Sequence, residues 1–306
     1  MPAYTYFLVS AVFHYLGPAF AVLLFARLDP LGVAWLRIAV AALIFAAWRR
    51  PWRAPRSRWP LLFTWGAVLA GMNSVFYLAL QRLPLGTVAA IEFLPVIVLA
   101  ALAARTRRNL AALLLAVAGV YLLTDVRLVA APLGLALAAV NAVLFAAYIV
   151  LGDRAAKDDR LSGLDALAAA MLVAAVLALP VGLGDALPAF GDPVLLAAAA
   201  GVGISSSVVP YVADQLALAR LPRATYALMV SLLPATATVI GVIVLTQIPT
   251  VPEALGVVLV VAGWRRTGPP QTPRGRRSQN RCGNNYRIAI TGNPLIPPTR
   301  KNGDTP

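Results

Sequence analysis

Apolar residues in this chain come in long runs instead of marking one face of a soluble helix. Ten runs, each bounded by charge or by Pro and Gly, cover approximately residues 6–25, 33–48, 60–80, 85–104, 110–124, 132–152, 164–183, 193–217, 225–246 and 251–264. A helix needs about 20 mostly apolar residues to cross roughly 30 Å of hydrocarbon, because each residue rises 1.5 Å and every main-chain polar group must be satisfied within the span. The pattern therefore predicts an all-α integral membrane protein with ten transmembrane helices. The first run is read as a span and not as a cleaved leader, since no Lys or Arg precedes Arg27.

Charge along the connections predicts orientation, because Lys and Arg in short loops are retained on the cytoplasmic side. With the amino terminus inside, the inner connections hold Arg49, Arg50, Arg53, Arg56, Arg58, Arg105, Arg107, Arg108, Arg154, Lys157, Arg160, Arg220 and Arg223. The outer ones hold only Arg27, Arg82 and Arg127. Both termini are thus expected in the cytoplasm, with Trp48, Trp52 and Trp59 at the headgroup level beside the most basic loop.

Composition agrees: 60% of the 306 residues are hydrophobic and 12% charged, against roughly 45–50% and 25% for a soluble domain. The net charge of +14 would ordinarily suggest a nucleic-acid partner. Residues 265–306 alone carry +8, however, and residues 1–264 carry +6, most of it the loop bias just described. No nucleic acid is expected. One cysteine, Cys282, and one histidine, His14, exclude a disulfide framework and a Cys- or His-based metal site, and no cofactor is expected.

An internal repeat shapes the architecture. Residues 78–87 read LALQRLPLGT and residues 216–225 read LALARLPRAT, with seven of ten positions identical at an offset of 138. Each copy leads into an apolar run carrying a proline, Pro95 or Pro234. The copies are five spans apart, an odd number, so they face opposite sides of the membrane. The expectation is two inverted five-helix repeats, residues 1–129 and 130–264, an arrangement typical of secondary transporters with a site near the midplane.

The stretch from Pro60 to Val96, with Gly71-Met72-Asn73, Phe76-Tyr77, Leu83-Pro84-Leu85-Gly86 and Glu92-Phe93, together with Pro210 to Ala235, resembles the drug/metabolite transporter superfamily, and within it the EamA-type members. The resemblance runs from about residue 8 to residue 264. It implies a ten-span bacterial inner-membrane carrier that exports small metabolites, often amino acids such as threonine or homoserine, by proton exchange. The chain departs from the family at Leu233, where a glutamate often precedes the proline of the ninth span, and at Thr246 and Gln247, where the family often has Gly-Glu.

Polar side chains are costly in hydrocarbon and mark a pathway or a structural partner. His14, Asn73, Asn141 and the serines Ser205, Ser206 and Ser207 fall closest to the midplane. Asn73 and Tyr77 share a helix face, as do Ser207 and Tyr211, so each pair could offer hydrogen bonds to one ligand. The competing reading makes these groups interhelical bridges or packing. Pro210, like Pro18, Pro95 and Pro234, frees a carbonyl within a span.

For proton coupling the candidates are Glu92, His14 and Asp214. Glu92 lies about seven residues, roughly 10 Å, into the fourth run, too deep for its short side chain to snorkel. The alternative for it is a structural pairing with Arg37. Arg37 itself stands four residues into its run and is expected to reach the outer headgroups in a structural role. Imidazole is suited to exchange near neutrality, and a neutral ring bonded to a carbonyl is the alternative for His14. Asp214, near the cytoplasmic end of its run, is either an inner-gate group or a solvated end.

These residues predict a secondary transporter, not an enzyme, whose partners are a small-molecule substrate, protons and membrane lipids, with a second copy of the chain as a further candidate. Intramembrane catalysis needs clustered groups that one His and two deep acids on different spans do not supply. A purine or xenobiotic exporter, and a non-transporting scaffold or receptor, stay open. Residues 265–306 hold nine basic residues, one acid and seven prolines, and are expected to form a disordered cytoplasmic tail able to bind anionic lipid. The fifth run continues AGVYLLT whereas the tenth breaks off at AGWRRTG, which makes a frameshift one explanation of the tail.

Overall fold

The computed structural model describes residues 3–49, 51–95, 131–156, 162–218 and 233–266, with 107, 110–111, 114–115, 117–119 and 121–122 between them. Part of the fifth run, residues 219–225 of the second repeat copy and the tail from residue 267 lie outside the described residues.

Every described element is helical: α1 (Ala3–Leu24), α2 (Pro30–Arg49), two 3₁₀ turns (Pro51–Arg53 and Arg56–Arg58), α3 (Trp59–Leu80), α4 (Leu85–Glu92), α5 (Pro132–Ala156), α6 (Gly163–Phe190), α7 (Pro193–Gly203), a π turn (Ile204–Val208), α8 (Val209–Leu218), α9 (Leu233–Leu245) and α10 (Val251–Arg266). Six stretches are long and apolar enough to cross a membrane: Thr5–Leu24, Pro30–Arg49, Arg56–Leu80, Pro132–Gly152, Gly163–Phe190 and Pro193–Ala213. Leu233–Leu245 is a shorter apolar helix. Large apolar side chains also face outward, among them Leu43, Val143, Val176 and Ile243. Helices that are apolar inside and out suit a lipid solvent. The protein is an all-helical, multi-pass membrane protein.

Local chemistry sets the helix ends. Asp192 caps α7, its Oδ1 accepting from the Val194 and Leu195 amides at 2.9 and 3.2 Å, with Pro193 at the first position where no amide is needed. Ser162 caps α6 by accepting from the Asp165 amide. Thr250 and Glu253 form half of a capping box on α10, the Glu253 carboxylate accepting from the Thr250 amide at 2.9 Å. α4 ends at Glu92, where the Phe93 amide closes the last turn by donating to the Ala89 carbonyl at 3.2 Å. α6 runs through Pro180 and Pro188 for 28 residues, seven beyond the expected end of that span.

The main packing pairs are α2 with α6, α3 with α5 and with α6, α1 with α8 and with α9, α4 with α9 and with α5, and α2 with α7. Small residues allow the closest approaches. A Cβ on Gly182 would meet the Leu31 carbonyl oxygen at 2.7 Å, and one on Gly66 would meet the Ala170 carbonyl oxygen at 2.7 Å. Close backbone approach is how membrane helices gain packing without a hydrophobic driving force between them.

Two apolar clusters result. One gathers around α1, the end of α3, α4 and α9, and the other around the second half of α2, the start of α3 and α6. On α2 the change occurs between Leu36 and Ile38, and on α3 between Met72 and Phe76. Arg37 and Asn73 occupy those two gaps, so a polar seam separates the clusters.

Candidate functional site

The seam begins with a proline. Pro210 has no amide hydrogen to offer the Ser206 carbonyl four residues earlier, and the chain around it forms the π turn Ile204–Val208. The Ser206 carbonyl instead accepts from Arg37 Nη2 at 2.9 Å. Arg37 Nε donates to Ser207 Oγ at 2.9 Å, and Nη1 to the Tyr77 hydroxyl at 3.5 Å. The guanidinium also lies 5.6 Å from the centroid of the Tyr77 ring, within cation–π range. α1 reaches this turn through Gly17, where any Cβ would collide with the Ser206 backbone.

Arg37 is only 7% exposed and points inward, contrary to the expectation that it reaches the headgroups. The physical reason is length: α2 starts at Pro30, three residues before the run at Val33, which places Arg37 about 11 Å along the helix. It does not bond Glu92 either. Glu92, 5% exposed, takes a hydrogen bond at 3.1 Å on Oε1 from Asn141 Nδ2, so the alternative of a structural pairing with Arg37 gives way to these separate partners. Arg37 and Glu92, each buried with its own polar partners, together make up a buried polar cluster.

Around the cluster, two fully buried polar atoms have no hydrogen-bond partner among the described residues: Asn141 Oδ1 and the Tyr15 hydroxyl. Such atoms are uncommon in folded interiors, and each calls for an explanation. His14 stands edge-on to Tyr15 at 5.3 Å between ring centroids.

The remaining candidates divide. Tyr77, Asn141 and Ser206 belong to the cluster, and His14 borders it. Asn73 sits at the seam, but its amide donates to the Leu69 carbonyl at 2.8 Å on its own helix, the bridging-free version of the structural alternative. Ser206 Oγ likewise donates back to the Val202 carbonyl, and Ser205 Oγ to the same oxygen, so the serines contribute through a carbonyl and Ser207 Oγ. Tyr211 is half-buried against the α2–α3–α6 cluster. The side chain of Asp214 lies outside the described residues. Ser207, a candidate from the sequence, joins the cluster by accepting from Arg37, while Arg37 in a binding position and Tyr15 are the additions, and the signal for Arg37 was a lone cation inside an apolar run.

A second polar region is a cavity of about 130 Å³ at the far end of α4, lined by Gly86, Thr87, Thr238, Gln247 and Glu253 among others. There Gln247 Oε1 accepts from the Leu85 amide at 3.0 Å, tying the end of α9 to the start of α4. No group of three or more His, Cys, Asp or Glu suited to a metal occurs among the described residues.

Comparison with known proteins matches residues 132–265 to the EamA-like transporter family. Threonine/homoserine exporter RhtA of Salmonella typhimurium (strain LT2) is 34% identical over 256 residues, spanning 80% of this chain and 84% of the relative. The protein of that name from Escherichia coli (strain K12) is 34% identical over 253 residues, with the same coverage. One solved crystal structure superposes with a TM-score of 0.56 at 18% identity, over 86% of this chain and 97% of its own, a likeness of fold alone.

Proposed function

Because this chain belongs to the EamA-like transporter family, whose members are transporters and not enzymes, we propose that it exports small amino acids such as threonine and homoserine from the bacterial cytoplasm by proton antiport. The observation that carries this reading is the buried seam: a cation, an acid, an amide and two unpartnered polar atoms gathered between two apolar clusters. A small polar solute can satisfy such groups, whereas an ordinary helix–helix contact in lipid gains little from them.

Glu92 is the coupling acid in this scheme. Its carboxylate holds a substrate ammonium when ionised and releases it when a proton arrives from the outer side, so proton and substrate exclude one another. His14 borders the same space, and Asp214 is the candidate group at the inner end.

Alternating access follows from two inverted repeats, residues 1–129 and 130–264, in an inner membrane with both termini cytoplasmic. Support comes from helix direction and pairing. α2 and α6 run oppositely, the end of one meeting the start of the other through Arg49 and Asp165 and the far ends meeting at Gly32 and Asp185, and the contact of α1 with α8 is mirrored by that of α5 with α3. The contact of α1 with α9 is mirrored in the same way by that of α5 with α4. Arg49, Arg56 and Arg58 share the end assigned to the cytoplasm.

One feature favours a second solute class. Phe93, Phe145, Tyr148 and Trp65 form a continuous row of rings 5.4 to 6.1 Å apart beside the Glu92–Asn141 bond, a surface suited to a flat purine or xenobiotic. Proteoliposomes with an imposed proton gradient distinguish the two, with labelled threonine, homoserine and other amino acids in one set and adenine in another. Gradient-driven movement of threonine or homoserine, reduced at least tenfold by Glu92→Gln, is the expected result. No movement of any amino acid would remove the proposal.

A further inference from the structure

Arg37 is a buried cation without a carboxylate partner among the described residues. A guanidinium has five N–H groups, and three are engaged, by Ser207 Oγ, the Ser206 carbonyl and the Tyr77 hydroxyl. Two hydrogens, one on each terminal nitrogen, remain without an acceptor among the described residues. These are the pair that a carboxylate takes in the two-pronged geometry characteristic of arginine. The side chain is also fixed in advance: the Tyr77 ring supports one face and the π turn grips its edge through two bonds. Burying a cation without an anion beside it is strongly unfavourable, so a fold that holds one in this way calls for an anion to offset it. Glu92 does not supply that anion by contact, its carboxylate being bonded to Asn141.

Asn141 offers the complementary end. Its Nδ2 is committed to Glu92, which leaves Oδ1 as a fully buried acceptor without a donor among the described residues, beside an acid that is also an acceptor. An acceptor pair of this kind fits an ammonium group.

We propose that Arg37 is the carboxylate anchor of the translocation site and that Glu92 with Asn141 Oδ1 receives the ammonium, so that the solute is recognised as a zwitterion lying across the seam. This rests on the reading of the protein as an amino-acid exporter and adds the residue that separates an amino acid from an amine. Arg37 then sets specificity, while Glu92 sets coupling.

The test compares ligands that differ only at the carboxylate, using purified full-length protein and isothermal titration. Wild type is expected to bind L-threonine at least tenfold more tightly than L-threoninamide. Arg37→Gln should bring threonine down to the threoninamide level while leaving threoninamide itself unchanged. If Arg37→Gln does not fold, Arg37→Lys serves, with a several-fold loss confined to threonine. A wild type that binds both ligands equally, or an Arg37 variant that keeps the wild-type ratio, overturns the assignment while leaving amino-acid export intact. A wild type that binds neither these nor any other amino acid overturns the export reading and the assignment together.

Discussion

Arg37 on α2 donates at 2.9 Å to the main-chain carbonyl of Ser206, a residue 169 positions away whose carbonyl lacks an amide from Pro210. A proline that costs a helix one internal bond thereby gives an arginine a fixed acceptor. Sequence, local distortion and site geometry are linked in that one contact.

Pro210→Ala restores an amide opposite the Ser206 carbonyl and sets it in competition with Arg37. The regularised helix should melt at a higher temperature in detergent, since proline in a helix interior costs about 3 kcal/mol. Export should fall several-fold. Wild-type export by this variant would show that the freed carbonyl is dispensable.

Gly17→Ala should destabilise the protein by about 1–3 kcal/mol, the usual cost of forcing extra volume into a packed contact. An added Cβ would lie 2.7 Å from the Ser206 Cα, and that neighbour is backbone that cannot swing away. Gly201→Ala is the control, because nothing lies within 4 Å of its added Cβ. It should be neutral or stabilising by roughly 0.5–1 kcal/mol, as is usual where alanine replaces a helical glycine. Thermal unfolding of the pair in one detergent gives the comparison.

Thr246 has φ = 53°, the only described non-glycine residue in the left-handed region. Its position just after α9 is where a glycine ordinarily ends a helix. Thr246→Gly relieves a backbone strain of about 1–2 kcal/mol and returns part of it as unfolded-chain entropy. A net stabilisation of about 0.5–1 kcal/mol is expected in chemical or thermal unfolding.

Asp192 is held below the ordinary carboxylate range by the Leu195 amide first, then by the Val194 amide and by Arg27, which pairs with it at 2.8 Å. A lowered folded value means that its stabilisation is complete above the unfolded value of 3.8 and disappears as pH falls through the folded one. Asp192→Asn keeps an acceptor on the helix end but cannot titrate. The acid side of the stability profile, below about pH 4, should therefore flatten in this variant. Because Arg27 is largely exposed, Arg27→Ala should change the profile far less.

Much of the fold was legible because hydrocarbon imposes a length on each helix. The runs at 6–25, 60–80 and 132–152 reappear as α1, α3 and α5 with small changes at their ends. Glu92 and Asn141 were legible as polar residues too deep to reach water. Arg37 was misplaced because depth was counted from Val33, whereas Pro30, a favourable first residue, already starts the helix. The partners of the serines were beyond sequence reading. Whether Ser206 uses its hydroxyl or its carbonyl depends on the π register, and that register depends on Pro210 and on how closely Gly17 lets α1 approach.

The polar seam between the two apolar clusters has a mechanical consequence. α2 and α3 run unbroken through both clusters, so the two can shift only by bending these helices at the level of Arg37 and Asn73. What breaks is a short set of hydrogen bonds, around Arg37 and between Asn141 and Glu92, that a solute or water can remake at once. The seam is therefore the level at which bending α2 and α3 disturbs the least apolar packing.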